Sequence, residues 1–359
     1  MMNIAIVNIY GDVYSKDRLF DPAACKIGQN LLLPGILLKK KLEEEGHFLH
    51  TADMYDFEEI DVIIFQDLNK NSIRLLSSPI DYIKYYLKRK WKKDYLEKAI
   101  KSSKPLKKIL IMQEPETVCP QSYDIRYHQY FDDILTWDDD LVDNKKYYKF
   151  QYPQIPAKIS YNVPFKEKKL YTIIAGNKKG VGKNELYSKR YEMIKYLEQN
   201  KYNLDLYGYG WEKENFKSYR GPIDDKLGIL SQYKYSICYE NMCGKKGYIT
   251  EKIFDCFFAG VVPIYWGAEN ITDYVPKEAF IDRRKFQTIK ELCQYVDEIT
   301  EERYEEYLKA ADEFITSETF QKEFSINAYI KRITDLILIL ILGIGIKEII
   351  FTIRKITSI

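Results

Sequence analysis

One stretch of the chain, residues 231–286, constrains the fold more than any other. It begins with a run rich in aromatic and β-branched residues at 235–239, which is typical of a buried parallel strand. A polar loop follows, then an apolar helix that starts near Thr250 and ends at Gly260, then a second strand at 261–266. This order predicts a βαβ unit, whose strand-to-helix loop lies at the carboxyl edge of the sheet, where open α/β sheets bind ligands.

The start of the predicted helix carries side chains that suit a nucleotide diphosphate. A helix N-terminus offers free backbone N–H groups and a partial positive charge, and Lys252 adds a full positive charge. Glu251 can accept hydrogen bonds from ribose hydroxyls, and Tyr248 offers a ring and a hydroxyl. Because Glu is common in the first turn of helices, the pattern alone also fits an ordinary helix start with solvated charges.

Residues 240–267, ENMCGKKGYITEKIFDCFFAGVVPIYWG, resemble the signature of the α-1,3/4-fucosyltransferases. That signature is an aromatic-Glu-Asn segment, a short loop, Gly-Tyr-Val/Ile-Thr-Glu-Lys, a helix ending in Ala-Gly, and a Pro-containing strand. The likeness continues into 274–282, where Ala279 stands in the place of the usual Ser, and upstream into 219–241. An ordered match of this length is far more specific than a lone Gly-rich loop.

The resemblance implies an α/β fold of the GT-B type, with two Rossmann-like domains facing a cleft. It implies an inverting enzyme that transfers L-fucose from GDP-fucose to a hydroxyl of an N-acetylglucosamine- or lactosamine-type glycan, in α-1,3 or α-1,4 linkage. Two alternatives stay open. The same fold could use another sugar nucleotide, or the chain could be a non-catalytic module that binds glycans or nucleotides.

The resemblance also assigns donor-site residues. Arg190, on a predicted helix at 184–199, matches the family's Arg that reaches the donor diphosphate, together with Lys252. Asn241 would contact fucose or ribose hydroxyls, Glu251 the ribose, and Tyr248 the nucleotide or fucose. A solvated helix charge is the alternative for Arg190, and a loop cap is the alternative for Asn241.

Residues 1–150 predict a first α/β domain on the acceptor side, with a parallel sheet. The predicted strands are 3–9, 61–66 and 107–113, and the predicted helices are 30–45 and 81–102. Glu114 and Glu116 follow the last of these strands, so they would face the cleft as candidate general bases. The resemblance implies a catalytic Glu here and favours Glu114 over Glu116. The alternative is a loop carboxylate that caps the following turn.

The run Trp137-Asp138-Asp139-Asp140 has the form of a metal-binding Asp-x-Asp motif, which could hold a divalent ion against a diphosphate. The resemblance points instead to a fold that uses basic side chains, so we interpret the run as a strand-ending turn. We expect no metal site and no cofactor besides the donor, although stimulation by a divalent metal stays open. His128 lies among aromatic residues and is either part of the acceptor site or a surface histidine.

The remaining sequence features limit partners and location. The 55 basic and 53 acidic residues nearly balance, which argues against a nucleic-acid partner. Six Cys without metal-type spacing, and no secretory signal, indicate reduced thiols in a cytoplasmic protein.

The second half of the chain divides into a linker, a domain and a tail. Residues 151–168 predict a Pro-rich linker and 169–330 the donor domain. In the apolar tail at 331–359, the uninterrupted apolar run 336–346 is too short for a spanning helix, which needs about 20 residues. It favours a peripheral contact with the inner membrane face or with a partner, as the resemblance implies. The alternative is a helix that packs back on the first domain.

Overall fold

The computed structural model of the chain describes residues 1–25, 31–70, 72, 80, 83, 94–156, 163–180 and 182–338. Two six-stranded sheets organise the described residues. The first sheet contains β1 (Asn3–Asn8), β2 (Phe48–Thr51), β3 (Val62–Gln66), β4 (Lys107–Met112), β5 (Asp133–Thr136) and β6 (Tyr147–Lys149). Its order is β2-β1-β3-β4-β5-β6 and every neighbouring pair is parallel, so the carboxyl ends of all its strands meet at one edge.

The second sheet has the same parallel design. It contains β7 (Lys169–Ile174), β8 (Leu204–Tyr207), β9 (Tyr219–Gly221), β10 (Tyr233–Tyr239), β11 (Val262–Trp266) and β12 (Ile281–Asp282), in the order β12-β11-β10-β7-β8-β9. The central strand β10 pairs with β7 and β11 along its length, and its carboxyl end opens into the loop that precedes the helix Glu251–Phe258. The predicted βαβ unit is therefore confirmed.

Helices connect the strands and cover the sheets. They span Leu33–Glu44, Tyr95–Lys101, Ile125–His128, Tyr187–Gln199, Lys226–Leu230, Glu251–Phe258, Ile289–Asp297, Glu301–Ile315 and Glu318–Glu323, and a last helix covers 326–338. In the second half, Thr250, Thr288, Thr300 and Ser317 each precede a helix, and their hydroxyl oxygens accept a backbone N–H of its first turn. These hydroxyls satisfy amide donors that have no partner inside the helix, which explains where these helices start.

An aromatic core fixes the helix Glu251–Phe258 on the second sheet. The ring of Phe254 contacts those of Phe314, Phe320 and Phe324, with centroids 4.7 to 6.4 Å apart. Gly260 follows the helix with φ +62°, the left-handed conformation that favours glycine at this position. This aromatic core thus supports the helix, and with it the helix start and the loop before it.

The predicted strands at 3–9, 61–66 and 107–113 are confirmed as β1, β3 and β4. The strands β6, β9 and β12 are absent from the sequence prediction. Of the predicted helix at 81–102, the structure describes Tyr95–Lys101 as helical, and 84–93 lie outside the described residues. The division into 1–150, 151–168 and 169–330 stays a prediction.

The helix at 326–338 returns to the first domain. Its side chains Tyr329, Ile333, Leu336 and Ile337 are buried in the same hydrophobic cluster as Ile4 of β1. The start of the predicted tail is therefore packed against the first sheet, which is the alternative arrangement that the sequence left open. Residues 339–359 lie outside the described residues. No helix within the described part of the chain has the length and apolarity needed to cross a membrane.

Candidate active site

The helix start after β10 is built around a buried carboxylate, Glu240. Its side chain is fully buried and accepts hydrogen bonds from the backbone N–H of Thr250 (2.9 Å) and from the Thr250 hydroxyl (2.7 Å). The ammonium of Lys252 lies 3.1 Å from the second oxygen of Glu240. Glu240 therefore ties the end of β10 to the first turn of the next helix, and it compensates part of the charge gathered there.

Lys252 and Glu251 lie in this first turn, where Glu251 is exposed and Lys252 is partly buried. The Lys252 side chain is 24% exposed, and its ammonium also contacts the Thr250 hydroxyl at 2.9 Å. Burial would lower the pKa of Lys252, but the carboxylates of Glu240 and Glu251 outweigh it and raise the pKa. Desolvation opposes ionisation of Glu251, yet the charges of Lys252 and Lys226 lower its pKa to about 2. Both side chains are therefore charged at neutral pH.

Arg190 lies in the helix Tyr187–Gln199 and reaches the end of β10. Its side chain is buried, its Nη2 donates to the carbonyl of Tyr239 (2.7 Å) and to Oδ1 of Asn241 (3.0 Å), and the guanidinium covers the ring of Tyr187 at 4.9 Å. Asn241 is thereby oriented by Arg190. The structure brings Arg190, Asn241, Glu251 and Lys252 together at the carboxyl end of β10.

Tyr248 occupies a different environment from the one the sequence suggests. Only 1% of the residue is exposed, and its ring lies 4.7 Å from the ring of Trp137, which follows β5 of the first domain. The ring of Tyr248 thus takes part in the packing between the two domains. A contact between Tyr248 and a ligand stays a prediction.

Glu114 lies past the carboxyl end of β4, in the first domain. Its carboxylate accepts a hydrogen bond from the hydroxyl of Tyr10 (3.1 Å), and its backbone N–H donates to the carboxylate of Asp67 (2.8 Å). Asp67 follows β3 and is 4% exposed. Burial, and then the charge of Glu114, raise the pKa of Asp67 to about 8. Glu116, the other candidate base, is exposed.

Charged groups of both domains act on the same side chain, Tyr248. Burial raises the pKa of Tyr248 well above its usual value, and the charges of Glu240, Glu114 and Glu251 raise it further. The Tyr248 phenol is therefore within electrostatic range of the candidate base in the first domain and of the carboxylates in the second. The loops that follow β5 and β10, at the carboxyl edges of the two sheets, are in contact through the rings of Trp137 and Tyr248.

Two other sequence candidates have structural roles. His128 is buried, with Nε2 2.8 Å from the carbonyl of Ser122 and Nδ1 3.0 Å from the hydroxyl of Tyr147, and burial lowers its pKa. It is therefore not a surface histidine. The Asp run forms a turn after β5, as predicted, and its carboxylates pair with cationic and amide side chains. No cluster of three or more metal-binding side chains occurs within the described ranges.

Sequence reasoning missed the roles of Glu240, Tyr10 and Asp67. A carboxylate that directly follows a buried strand and precedes Asn241 was a signal for Glu240, because buried carboxylates need partners. For Tyr10 and Asp67 the signal is weaker. Both lie just past the ends of strands that a parallel sheet brings to the same edge as Glu114.

Two parallel α/β domains that meet at their carboxyl edges define the GT-B type of glycosyltransferase fold. An α1,3-fucosyltransferase solved with GDP-fucose aligns over 86% of this chain and 81% of its own, with a TM-score of 0.50 and 17% identity. An α-glucosyltransferase solved with UDP and DNA aligns over 94% and 100%, with a TM-score of 0.55 and 10% identity. At these identities the likeness shows the fold alone.

The second domain also matches the model of a protein family. Residues 167–334 match the model of the family described as glycosyltransferase family 10 (fucosyltransferase), C-term. Over this domain, which is less than half of the chain, the protein is similar to glycosyltransferase family 10. The match includes every residue that builds the helix start described above.

Individual relatives match over parts of their length. The chain is 40% identical to α-(1,3)-fucosyltransferase FucT of Helicobacter pylori over 75 residues, which are 21% of this chain and 15% of that protein. It is 40% identical to α-(1,4)-fucosyltransferase of Arabidopsis thaliana over 80 residues, 22% and 20% of the two proteins. It is 25% identical to human 4-galactosyl-N-acetylglucosaminide 3-alpha-L-fucosyltransferase 9 over 171 residues, 46% and 41%. The matches thus span less than half of these relatives.

Proposed function

We propose that this protein is an inverting fucosyltransferase, which transfers L-fucose from GDP-fucose to a hydroxyl of an N-acetylglucosamine-containing glycan. One observation carries the proposal. The family match covers the residues that gather Arg190, Lys252 and a helix N-terminus at the carboxyl end of β10.

The donor side suits a leaving diphosphate. Cleavage of the bond between fucose and GDP adds negative charge to the diphosphate, and fixed positive groups stabilise that charge in the transition state. Lys252 is partly exposed at the helix start, with its ammonium held by Glu240 and Thr250. Arg190 lies behind it, fixed by the carbonyl of Tyr239. Glu251 is an ionised acceptor for ribose hydroxyls.

The acceptor side supplies a base. Glu114 would remove the proton of the acceptor hydroxyl, whose oxygen attacks the anomeric carbon on the face opposite to GDP. The new glycosidic bond forms as the bond to GDP breaks, so the configuration inverts. Tyr10 donates a hydrogen bond to Glu114, and the N–H donated to Asp67 fixes the Glu114 backbone, so the carboxylate is already oriented.

The acceptor class and the linkage rest on the relatives. One relative is named for action on a 4-galactosyl-N-acetylglucosaminide, and others are named for α-(1,3) or α-(1,4) transfer. We therefore propose a lactosamine-type acceptor and either linkage.

The test is a donor panel followed by two variants. The full chain is incubated with lactosamine and GDP-fucose, GDP-mannose, UDP-glucose or UDP-galactose, and the products are identified by mass spectrometry. We expect product with GDP-fucose. Transfer from a different donor would replace the fucose assignment, and binding without transfer from any donor would make the chain a binding module.

The variants separate the two sides of the site. Glu114→Gln should keep GDP binding in calorimetry and lose roughly 10²- to 10⁴-fold in kcat, because only the base is removed. Lys252→Ala should raise the donor KM and lower kcat. Lys189→Ala, which removes an exposed cation on the same helix as Arg190, is the matched control and should leave both constants unchanged. Loss of GDP binding in Glu114→Gln would contradict its role as base.

We also propose that the protein works at the cytoplasmic face of a membrane, through residues 339–359. This segment combines an apolar run with Lys347, Arg354 and Lys355, a composition that binds anionic membrane surfaces. The full chain should sediment with vesicles that contain an anionic phospholipid, and a chain ending at residue 338 should not. Equal sedimentation of both would refute the proposal.

A further inference from the structure

Three consecutive carboxylates at 138–140 contact the second domain. Asp138 pairs with Lys245 at 3.1 Å and Asp140 pairs with Lys246 at 3.0 Å. Between them, Asp139 accepts hydrogen bonds from the amide of Asn270 (2.9 Å), the hydroxyl of Tyr274 (2.7 Å) and the ammonium of Lys149. All three carboxylates are thus engaged by donors of neighbouring side chains. This role explains an Asp run that has the form of a metal-binding motif.

The backbone approach at this contact is very close. Gly247 has φ +80°, and a Cβ placed there would lie 2.2 Å from the carbonyl oxygen of Trp137 and 2.6 Å from the ammonium of Lys149. Only glycine permits both the backbone conformation and the short distance. Its N–H donates to Asn270 at 2.9 Å, so Asn270 bonds to Gly247 and to Asp139.

The contacted loop leads directly into the candidate donor site. Lys245, Lys246 and Gly247 are followed by Tyr248, which packs on Trp137, and then by Thr250 at the helix start. No residue of this loop is more than a few positions from Lys252 in the chain. A displacement of the loop would therefore move the Thr250 cap and the groups it holds.

We propose that Asp139, flanked by Asp138 and Asp140, is a positioning residue in the first domain that holds the loop 245–248 and so sets donor affinity in the second domain. This rests on the proposed function. Asp139 does not touch the donor in this arrangement. It acts through Asn270, Gly247 and the loop backbone.

The prediction is tested by GDP binding in the full chain, measured by calorimetry beside thermal unfolding. Asp139→Asn should weaken GDP binding at least 10-fold and raise the donor KM similarly, with the acceptor KM unchanged. Asp140→Asn is the matched control, because Asp140 is 56% exposed and makes a single surface pair. It removes the same charge one residue away and should change GDP affinity less than twofold.

A second variant keeps the test decisive if Asp139→Asn fails to fold. Asn270→Ala removes the side chain that bonds to Asp139 and Gly247, and should weaken GDP binding in the same direction. A lowered unfolding temperature with unchanged GDP affinity in folded Asp139→Asn and Asn270→Ala would mean that the contact is structural only, and would overturn the proposal. A wild-type chain that binds no GDP would instead overturn the proposed function, and this proposal with it.

Discussion

At the scale of single residues, the pair Asp67 and Glu114 shows how the first domain controls charge at its edge. Asp67 has φ +59°, a left-handed conformation that Asp and Asn tolerate better than most residues. Its carboxylate accepts the Glu114 N–H at 2.8 Å, and burial followed by the charge of Glu114 raises its pKa to about 8. At neutral pH Asp67 is therefore mostly protonated.

This arrangement makes stability depend on pH in a defined direction. Because the pKa of Asp67 is higher in the folded than in the unfolded chain, its contribution is complete below about pH 4 and is lost as pH rises toward 8. Asp67→Asn keeps the acceptor oxygen and the backbone conformation but has no proton to lose. Relative to this variant, the wild type should lose about 2 kcal/mol or more of unfolding free energy between pH 4 and 8.

Urea denaturation at several pH values measures this difference. Tyr10→Phe serves as the control, because it removes a hydrogen bond to the Glu114 carboxylate and leaves Asp67 in place. Its pH dependence should follow that of the wild type. Parallel stability curves for the wild type and Asp67→Asn would show that Asp67 does not titrate in this range.

The sequence alone predicts the charged residues of the candidate site better than the residues that hold them in place. Lys252 stands out because its charge falls in the first turn of a predicted helix, and Arg190 because the family resemblance assigns an Arg to its helix. Glu240 does not stand out, because its role depends on a hydrogen bond from Thr250, which lies 10 residues further along the chain. Tyr248 occupies a motif position, but only the folded chain places Trp137 against its ring.

At the scale of elements, the helix Glu251–Phe258 combines a cap with charged residues of the candidate site. The Thr250 hydroxyl accepts the N–H of Lys252, contacts its ammonium, and donates to Glu240. Thr250→Val keeps the shape but removes the hydroxyl, which should lower the free energy of unfolding by about 1–2 kcal/mol and raise the donor KM. Thr250→Ser restores the hydroxyl and should recover both values. The readouts are urea denaturation and donor kinetics. A Ser variant as impaired as the Val variant would contradict the role of the hydroxyl.

Elements with a strong pattern are predictable here, and short ones are not. The strands β1, β3, β4 and β10 carry enough apolar and β-branched residues to be recognised. The strands β6, β9 and β12 are only two or three residues long, too short for a pattern of their own, and they form because a neighbouring strand offers its edge.

At the scale of the whole molecule, the chain crosses from the second domain back to the first. Gln154 donates its N–H to the carbonyl of Phe324 at 2.7 Å, and the helix at 326–338 then lies in the core of the first domain. Lys107 of β4 donates to the carbonyl of Leu336 at 2.5 Å. Composition could not decide between this arrangement and an exposed tail, because an apolar run suits either environment. Whether such a run packs or stays exposed depends on whether the first sheet has an apolar face that it can cover.

The last helix should therefore contribute to the stability of the first domain, although Leu336 lies 229 residues beyond Lys107 of β4. Ile333 is fully buried in the cluster that contains Ile4. Ile333→Ala removes buried methyl and methylene groups and leaves a cavity, so it should lower the free energy of unfolding by about 2–4 kcal/mol.

Lys331→Ala is the matched control on the same helix. Its side chain is 73% exposed in a pair with Asp335, and its removal should cost less than about 0.5 kcal/mol. Urea denaturation followed by tryptophan fluorescence measures both changes, and Trp137, one of the four Trp of the chain, lies in the same cluster as Ile333. Equal stability of the two variants would mean that the helix does not support this domain in solution.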